Sequence, residues 1–408
     1  MDTSGREIVD YIYTESRRAR KIVGRLARRT PLDPSTTFSR IAGTRIYLKY
    51  ENLQKTGSFK VRGALYKVSK LKEAYPGFVA ASAGNHAQGV AFAASAFNRR
   101  AVIVMPETAS ISKIEATRSY GAEVVLHGRI YDEAEEEALR IAREKGYAFI
   151  HPFNDPDVIA GQGTIGFEIL EDLPTVRNIV VGVGGGGLIS GIAVVAKRLR
   201  SNVRVIGVEP ENAPKMTVSL REGRPVVVEV KPTIADGLAV KKPGDLTFSL
   251  IKELADELVT VKEEDIAKAI YLLLERGKVL AEGAGAAPLA AIISGSLSLE
   301  GDTAIVISGG NIDLTHIYKL LLWGLTGNGR IATIHGYVPD VPGTLAKITS
   351  VIARNRGNIV EVLHDRADIN TPAWHTALRI SIEIPSKEAI DAILRDLRKM
   401  GYNFEIVG

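Results

Sequence analysis

From Tyr47 to about Leu321, short β-branched runs alternate with stretches of helical periodicity, and few folds accept that order. Candidate strands are Arg45–Tyr50, Phe78–Ala81, Ala101–Met105, Glu123–Leu126, Asn178–Val183, Val203–Val208 and Ala304–Ser308. Helical patterns lie between them, for example Ile111–Tyr120 and Asp132–Lys145. Such alternation implies an α/β chain with parallel sheets covered by helices. Ligands bind such sheets at the loops that follow the carboxyl ends of strands. Three glycine-rich motifs directly follow a candidate strand: Ser82-Ala83-Gly84-Asn85-His86, Gly184-Gly185-Gly186-Gly187 and Ser308-Gly309-Gly310-Asn311. A fourth, Gly57-Ser58-Phe59-Lys60, follows one after a short polar turn.

Lys60 is the leading candidate for chemistry. Ser58 reads as the N-cap of a helix, which puts Lys60 in the first turn. A cation there works against the helix dipole. The site therefore favours the neutral amine, the form that attacks an aldehyde. The four glycines Gly184–Gly187 precede a helix starting near Leu188 and let backbone N–H groups converge on a phosphate. A dinucleotide reading is open, since Gly182 to Gly187 loosely match a G-x-G-x-x-G pattern. No acidic residue sits about 20 residues later at a strand end, as that reading needs, and Glu209 is the nearest candidate.

The chain holds 52 basic and 47 acidic residues, a net charge of +5, with the charges interspersed. No basic stripe argues for nucleic acid. The densest basic stretch, Arg17 to Arg29, has the spacing of a solvated helix face. There are no cysteines. This removes disulfides and thiolate chemistry, and fits a cytoplasmic enzyme or one avoiding labile residues at high temperature. Residues Met1 to Glu7 lack the basic and apolar regions of a signal peptide. The most apolar stretch, Gly277 to Gly295, carries Lys278 and Glu282 and reads as a buried helix entry, not a membrane span.

Together the four motifs resemble the pyridoxal-phosphate enzymes of fold type II (tryptophan synthase beta-like), and within them the threonine and serine dehydratases, or threonine ammonia-lyases. The resemblance covers residues 1 to about 326. It implies two subdomains, the smaller about residues 53–153 and inserted in the larger, with pyridoxal 5'-phosphate between them. Lys60 would carry the cofactor and Gly184, Gly185, Gly186 and Gly187 its phosphate. Phe59 would pack by its ring, Asn85 would bond its 3-hydroxyl and Ser308 would face its ring nitrogen. A neutral hydroxyl there makes the ring a weaker electron sink and favours loss of a β-leaving group over transamination. Ser82, Asn85 and His86, with nearby N–H groups, would hold the substrate carboxylate. Lys60 would take the α-proton. The β-hydroxyl would leave as water, and the released enamine would hydrolyse to a 2-oxo acid and ammonia. L-threonine is the expected substrate, with L-serine a second, in a role such as isoleucine biosynthesis.

The nearest rival is a serine or threonine racemase of the same fold. Those enzymes carry a second serine immediately before the glycine of the Ser82 loop, where this chain has Ala83. Family members also bind a divalent metal with residues just after a Glu-Pro pair. In Glu209-Pro210-Glu211-Asn212-Ala213-Pro214-Lys215 a lysine stands where a carboxylate is wanted, so no metal site is expected. A monovalent cation held by backbone carbonyls stays open. A second rival, a non-catalytic amino-acid sensor, would be expected to have lost Lys60 or the four glycines.

After Leu321, Trp323 to Gly329 is glycine-rich and reads as a linker. Then come strand Arg330–Val338, helix Thr344–Asn355, strands Asn358–Asp365 and His375–Ile384, helix Lys387–Met400 and strand Asn403–Val407. This βαββαβ order is that of a ferredoxin-like module. The turn Asp340-Val341-Pro342-Gly343-Thr344-Leu345 resembles that of ACT domains. The resemblance implies an allosteric regulatory domain over 327–408, with Asp340, Gly343 and Thr344 at an amino-acid effector. Edge pairing of such a module would make the protein a homodimer or homotetramer.

Overall fold

The computed structural model describes residues 3–327 and 329–407, so Asn328 of the expected linker lies outside the described residues. The chain divides into two units, Met1–Asp313 and Leu314–Gly408. The strands of the first are β1 (Leu32–Pro34), β2 (Ile46–Tyr50), β3 (Gly77–Ala81), β4 (Arg100–Met105), β5 (Glu123–Leu126), β6 (Ala148–Phe149), β7 (Asn178–Gly182), β8 (Arg204–Pro210), β9 (Glu257–Val261) and β10 (Thr303–Ile307).

They form two sheets, ordered β1-β2-β10-β7-β8-β9 and β5-β4-β3-β6. Every pairing is parallel except β1 with β2. Strands β3, β7 and β10 are buried at all five positions. This is the apolar run expected of parallel strands covered on both faces. The second sheet lies wholly within residues 77–149. The expected strands are all present. β1, β6 and β9 were not anticipated: the first two are two or three residues long, and β9 shows little burial pattern.

Strand order sets the site. β10 lies between β2 and β7, so the segments following these three strands are neighbours at one end of the sheet. After β2 the chain bridges back onto the end of β10. Ser58 pairs with Gly309, Phe59 N donates to Ser308 O at 3.0 Å, and Gly310 N donates to Gly57 O at 2.9 Å. Ser58 is therefore not the expected N-cap. It is drawn into this bridge, its buried hydroxyl has no partner, and the helix Lys60–Leu71 is preceded by Phe59 with no side-chain cap.

That helix is fixed by charge as well as by packing. Arg62, fully buried, meets both oxygens of fully buried Glu51 at 2.7 and 2.8 Å and both of Glu168 at 2.6 and 2.9 Å. Lys49, also fully buried, reaches Glu168 at 2.6 Å and Thr30 O at 2.7 Å. Two cations close on two carboxylates, which offsets desolvation that would be severe for any of them alone. Glu168 comes from the helix Pro156–Asp172, whose start is capped by Asp155 accepting from Asp157 N and Val158 N. The apolar stretch near residue 280 forms the buried helix Gly283–Ile293.

The second unit begins with the helix Leu314–Gly327, so residues 323–327 are helical and not the expected linker. The apolar repeat from Leu314 to Leu325 outweighs the glycines at 324 and 327. Strands β11 (Ile331–Pro339), β12 (Asn358–Asp365), β13 (His375–Glu383) and β14 (Glu405–Ile406) pair antiparallel in the order β12-β13-β11-β14. With the helices Thr344–Arg354 and Lys387–Lys399 this is the ferredoxin-like arrangement. Its core includes Ile334, Ile348, Val351, Ile380, Ile393 and Leu397. Among the described residues no helix is long and apolar enough to cross a membrane.

Replacing Arg62 with Met leaves buried Glu51 without its cation and half-buried Glu168 with Lys49 alone. The expected loss is about 3–5 kcal/mol, read from urea denaturation. A loss within about 0.5 kcal/mol, as at an ordinary surface position, would contradict the network.

Candidate active site

The Lys60 amine opens onto a cavity of about 770 Å³, within the range of small-molecule sites. Its Nζ donates to Pro152 O at 2.9 Å and lies 5.3 Å from the Phe59 ring centre. Burial pulls its pKa down to about 8, against the opposing pull of Glu282. Loss of water, more than the helix dipole, is thus what favours the neutral amine.

The glycines after β7 line the same cavity, and the helix Gly187–Leu199 starts within them. Gly186 has φ +95°, a left-handed conformation that favours glycine. A side chain at Gly185 would overlap the Phe153 ring, and one at Gly184 or Gly187 would come within 3.0 Å of Gly237 O or the Phe153 side chain. Thr247 Oγ1 donates to Gly185 O at 2.6 Å and holds the loop from outside. A loop of bare N–H groups at a helix start, across a cavity from a dry amine, fits a phosphorylated aldehyde.

Ser82, Ala83, Gly84, Asn85 and His86 follow β3 and also line the cavity. The helix Asn85–Ala96 begins there, and Gly84 N donates to Ser82 Oγ at 3.2 Å. The ring of His86 turns away to Ile150 O at 2.8 Å. Burial pushes its pKa down to about 3, so the neutral ring puts its proton on Nε2 and leaves Nδ1 a bare, buried acceptor. The ring therefore does not suit a carboxylate, and the His86 backbone N–H at the helix start is the better donor. Ser308, at the end of β10, is buried and lines the cavity with Asn311. All the residues expected at the cofactor or the substrate carboxylate meet in this one cavity. Asp340, Gly343 and Thr344 belong to the second unit. There Asp340 accepts from Arg366 at 2.9 Å, and Gly343, at φ +91°, precedes the helix Thr344–Arg354.

Sequence reasoning missed Glu282. It is buried in the cavity wall, and its Oε1 accepts from Asn85 Nδ2 at 2.7 Å. Asn311 Nδ2 in turn donates to Asn85 Oδ1 at 2.7 Å and Thr56 O at 2.8 Å, which fixes the orientation of the Asn85 amide. Burial, reinforced by Asp236, raises the Glu282 pKa to about 7 despite Asn85, Lys113 and Lys60. The available signal was a glutamate inside an apolar, glycine-rich run. His151 was missed too. Its Nδ1 accepts from Phe153 N and Asn154 N, and burial lowers its pKa to about 4, so Nε2 carries the proton. Lys113 and Asp236, paired at 2.9 Å, also line the cavity, as do Asp132, Glu135, Lys241 and Lys242.

A raised carboxyl pKa makes stability fall with pH. Between the ordinary value of 4.5 and about 7 the unfolded chain has released the Glu282 proton and the folded chain has not. In cofactor-free protein, Glu282→Gln should therefore gain stability relative to the parent as pH rises from 4.5 to 8. A pH-independent difference in urea midpoint would contradict the assigned burial.

The sequence profile described as "Pyridoxal-phosphate dependent enzyme" matches residues 23–309. A Thermotoga maritima protein named "L-threonine ammonia-lyase" is 51% identical over 96% of this chain and 98% of its own. The processed form of a threonine deaminase isoform from Solanum lycopersicum matches in structure with TM-score 0.72 and 39% identity, over 76% of this chain and 92% of that one. Maize serine racemase matches with TM-score 0.73 and 33% identity, over 78% and 98%. With a dry lysine, a glycine cradle and this breadth of likeness, the chain belongs to the pyridoxal-phosphate dependent enzymes.

Proposed function

We propose that the protein is an L-threonine ammonia-lyase, a carbon–oxygen lyase that turns L-threonine into 2-oxobutanoate and ammonia and accepts L-serine to give pyruvate. The observation that carries this reading is one enclosed amine, Lys60, on a cavity wall where Ala83 supplies no second base. The identity to the Thermotoga maritima protein, whose name states this activity, supports the substrate.

Pyridoxal phosphate, when bound, supplies an electron sink for the substrate α-carbon. The chain supplies the rest. Gly184–Gly187 present N–H groups to a phosphate, and the start of the helix Asn85–Ala96 presents them to a carboxylate. The Glu282–Asn85–Asn311 chain of hydrogen bonds keeps the Asn85 amide in one orientation. Lys60, its pKa drawn down to about 8, holds the cofactor and accepts the α-proton near neutral pH. Ser308 offers a neutral hydroxyl and no charge to hold a proton on the ring nitrogen. The β-hydroxyl takes up a proton and leaves as water, and one water is consumed when the released enamine hydrolyses to the 2-oxo acid and ammonia, so the sum is L-threonine to 2-oxobutanoate and ammonia.

The second unit is proposed to bind an amino-acid effector near Asp340, Gly343 and Thr344. Its outer strand β12 exposes Val360, Val362 and Leu363, which pairing between subunits of a homodimer or homotetramer would cover. A cytoplasmic setting is proposed from the absence of cysteine.

Purified protein should release 2-oxobutanoate and equimolar ammonia from L-threonine. From L-serine it should give pyruvate with little D-serine, and Ala83→Ser should raise D-serine formation. D-serine appearing as fast as pyruvate in the parent would overturn the lyase reading. The same assay with isoleucine, valine and AMP tests the effector. An unchanged rate and unchanged melting with all three would count against it.

A further inference from the structure

Besides Arg62 and Lys49, another fully buried cation stands outside the cavity lining. Lys215 opens the helix Lys215–Glu222 and has no exposed surface. Its Nζ lies 2.5 Å from Val183 O, 3.0 Å from Leu238 O, 3.4 Å from Ala213 O and 2.9 Å from Oε1 of Glu209, itself fully buried. Every neighbour is an oxygen acceptor. The Glu209 carboxylate also accepts from Met216 N at 2.9 Å and from Thr217 N and Oγ1 at 2.8 Å each. Three close acceptors around one amine require three N–H groups, which only the ammonium has. Burial lowers the lysine pKa from its ordinary value, with Glu209 opposing, and it is the three close oxygens at 2.5 to 3.0 Å that call for the ammonium.

Carbonyl oxygens with one carboxylate are the donor set of a hard metal cation. The family resemblance puts a divalent metal just after the Glu-Pro pair, here Glu209-Pro210. The residues present do not fit one. The described residues contain no group of three or more His, Cys, Asp or Glu placed to hold a metal. The oxygen cage beside Glu209 is filled by Nζ.

We propose that the Lys215 ammonium is a built-in cation that takes the place of a metal ion and fixes the glycine loop for cofactor binding. Its contacts join three segments. Val183 immediately precedes the glycines. Leu238 ends the turn Asp236–Leu238, whose Gly237 carbonyl lies against Gly184 and whose Asp236 pairs with Lys113. Glu209 and Ala213 come from the end of β8 and the loop beyond it. Lys215 is thus a positioning residue behind the phosphate cradle. The proposal rests on the cofactor reading and not on the identity of the substrate.

The test compares parent, Lys215→Ala and Lys215→Met after chelation with EDTA and exchange into a buffer whose only cation is tetramethylammonium. Melting of cofactor-free protein and pyridoxal-phosphate affinity are both measured, so the cage is tested even if the cofactor reading fails. The parent should be indifferent to chelation and to added K⁺, Mg²⁺ or Ca²⁺. Lys215→Ala should lose about tenfold or more in cofactor affinity and melt several degrees lower, with both restored by one of these ions or by methylammonium. Lys215→Met, whose side chain fills the space without charge, should be impaired and not restored. A parent that needs an added cation, a Lys215→Ala protein equal to the parent or unresponsive to every ion, or equal rescue of Lys215→Met would each overturn the proposal. Should Lys215→Ala fail to fold, the parent's response to chelation and added ions decides alone.

Discussion

The Lys60 amine sits in a cavity wall that limits its hydration, with Pro152 O at 2.9 Å as its hydrogen-bond partner. Removing water from an amine costs the charged form most, and that cost is what leaves Lys60 able to react near neutral pH. A dry amine persists only if its support is stiff. Two residues further along the same helix, Arg62 grips Glu51 and Glu168, and those carboxylates lie on the segment after β2 and on the helix Pro156–Asp172. The helix that carries Lys60 is thereby tied to a segment 11 positions before Arg62 and to a helix 106 positions beyond it.

Arg62, Lys215 and Lys60 show how surroundings divide one chemistry into different tasks. Arg62 is matched by two carboxylates and stays charged as a structural tie. Lys215 faces four oxygens, one from a carboxylate, and serves as an internal ion. Lys60 faces a single carbonyl, with Glu282 acting on it only at longer range, and so gives up its proton readily. Glu282 is the mirror case, a carboxyl that burial holds protonated up to about pH 7. The order β2-β10-β7 brings Lys60, Ser308 and the glycine loop side by side, and Lys60 and Glu282 share one cavity.

The alternation of strand and helix and the four motifs were legible because each is local. A lysine after a strand and polar turn, or glycines after a buried strand, carries its meaning within a dozen residues. Arg62 and Glu282 were not legible, since Arg62 meets Glu168 106 positions away and Glu282 meets Asn85 197 positions away. Ser58 has the composition of an N-cap, yet the bridge to Gly309 competes for the same stretch of backbone. Lys215 was visible as a residue out of place, but the four oxygens that define it come from separate turns. In the second unit the βαββαβ order was readable from periodicity, whereas the glycines at 324 and 327 suggested a break where the helix Leu314–Gly327 continues.

The central claim is that Lys60 is the amine that holds pyridoxal phosphate. Reducing the cofactor-loaded protein with borohydride, digesting it and mapping the pyridoxyl mass by tandem mass spectrometry tests it directly. The account predicts the label on the peptide containing Lys60, with none on Lys113, Lys241 or Lys242, which also line the cavity. Label on Lys113 or Lys215, or trapping that persists undiminished in Lys60→Ala, would contradict it.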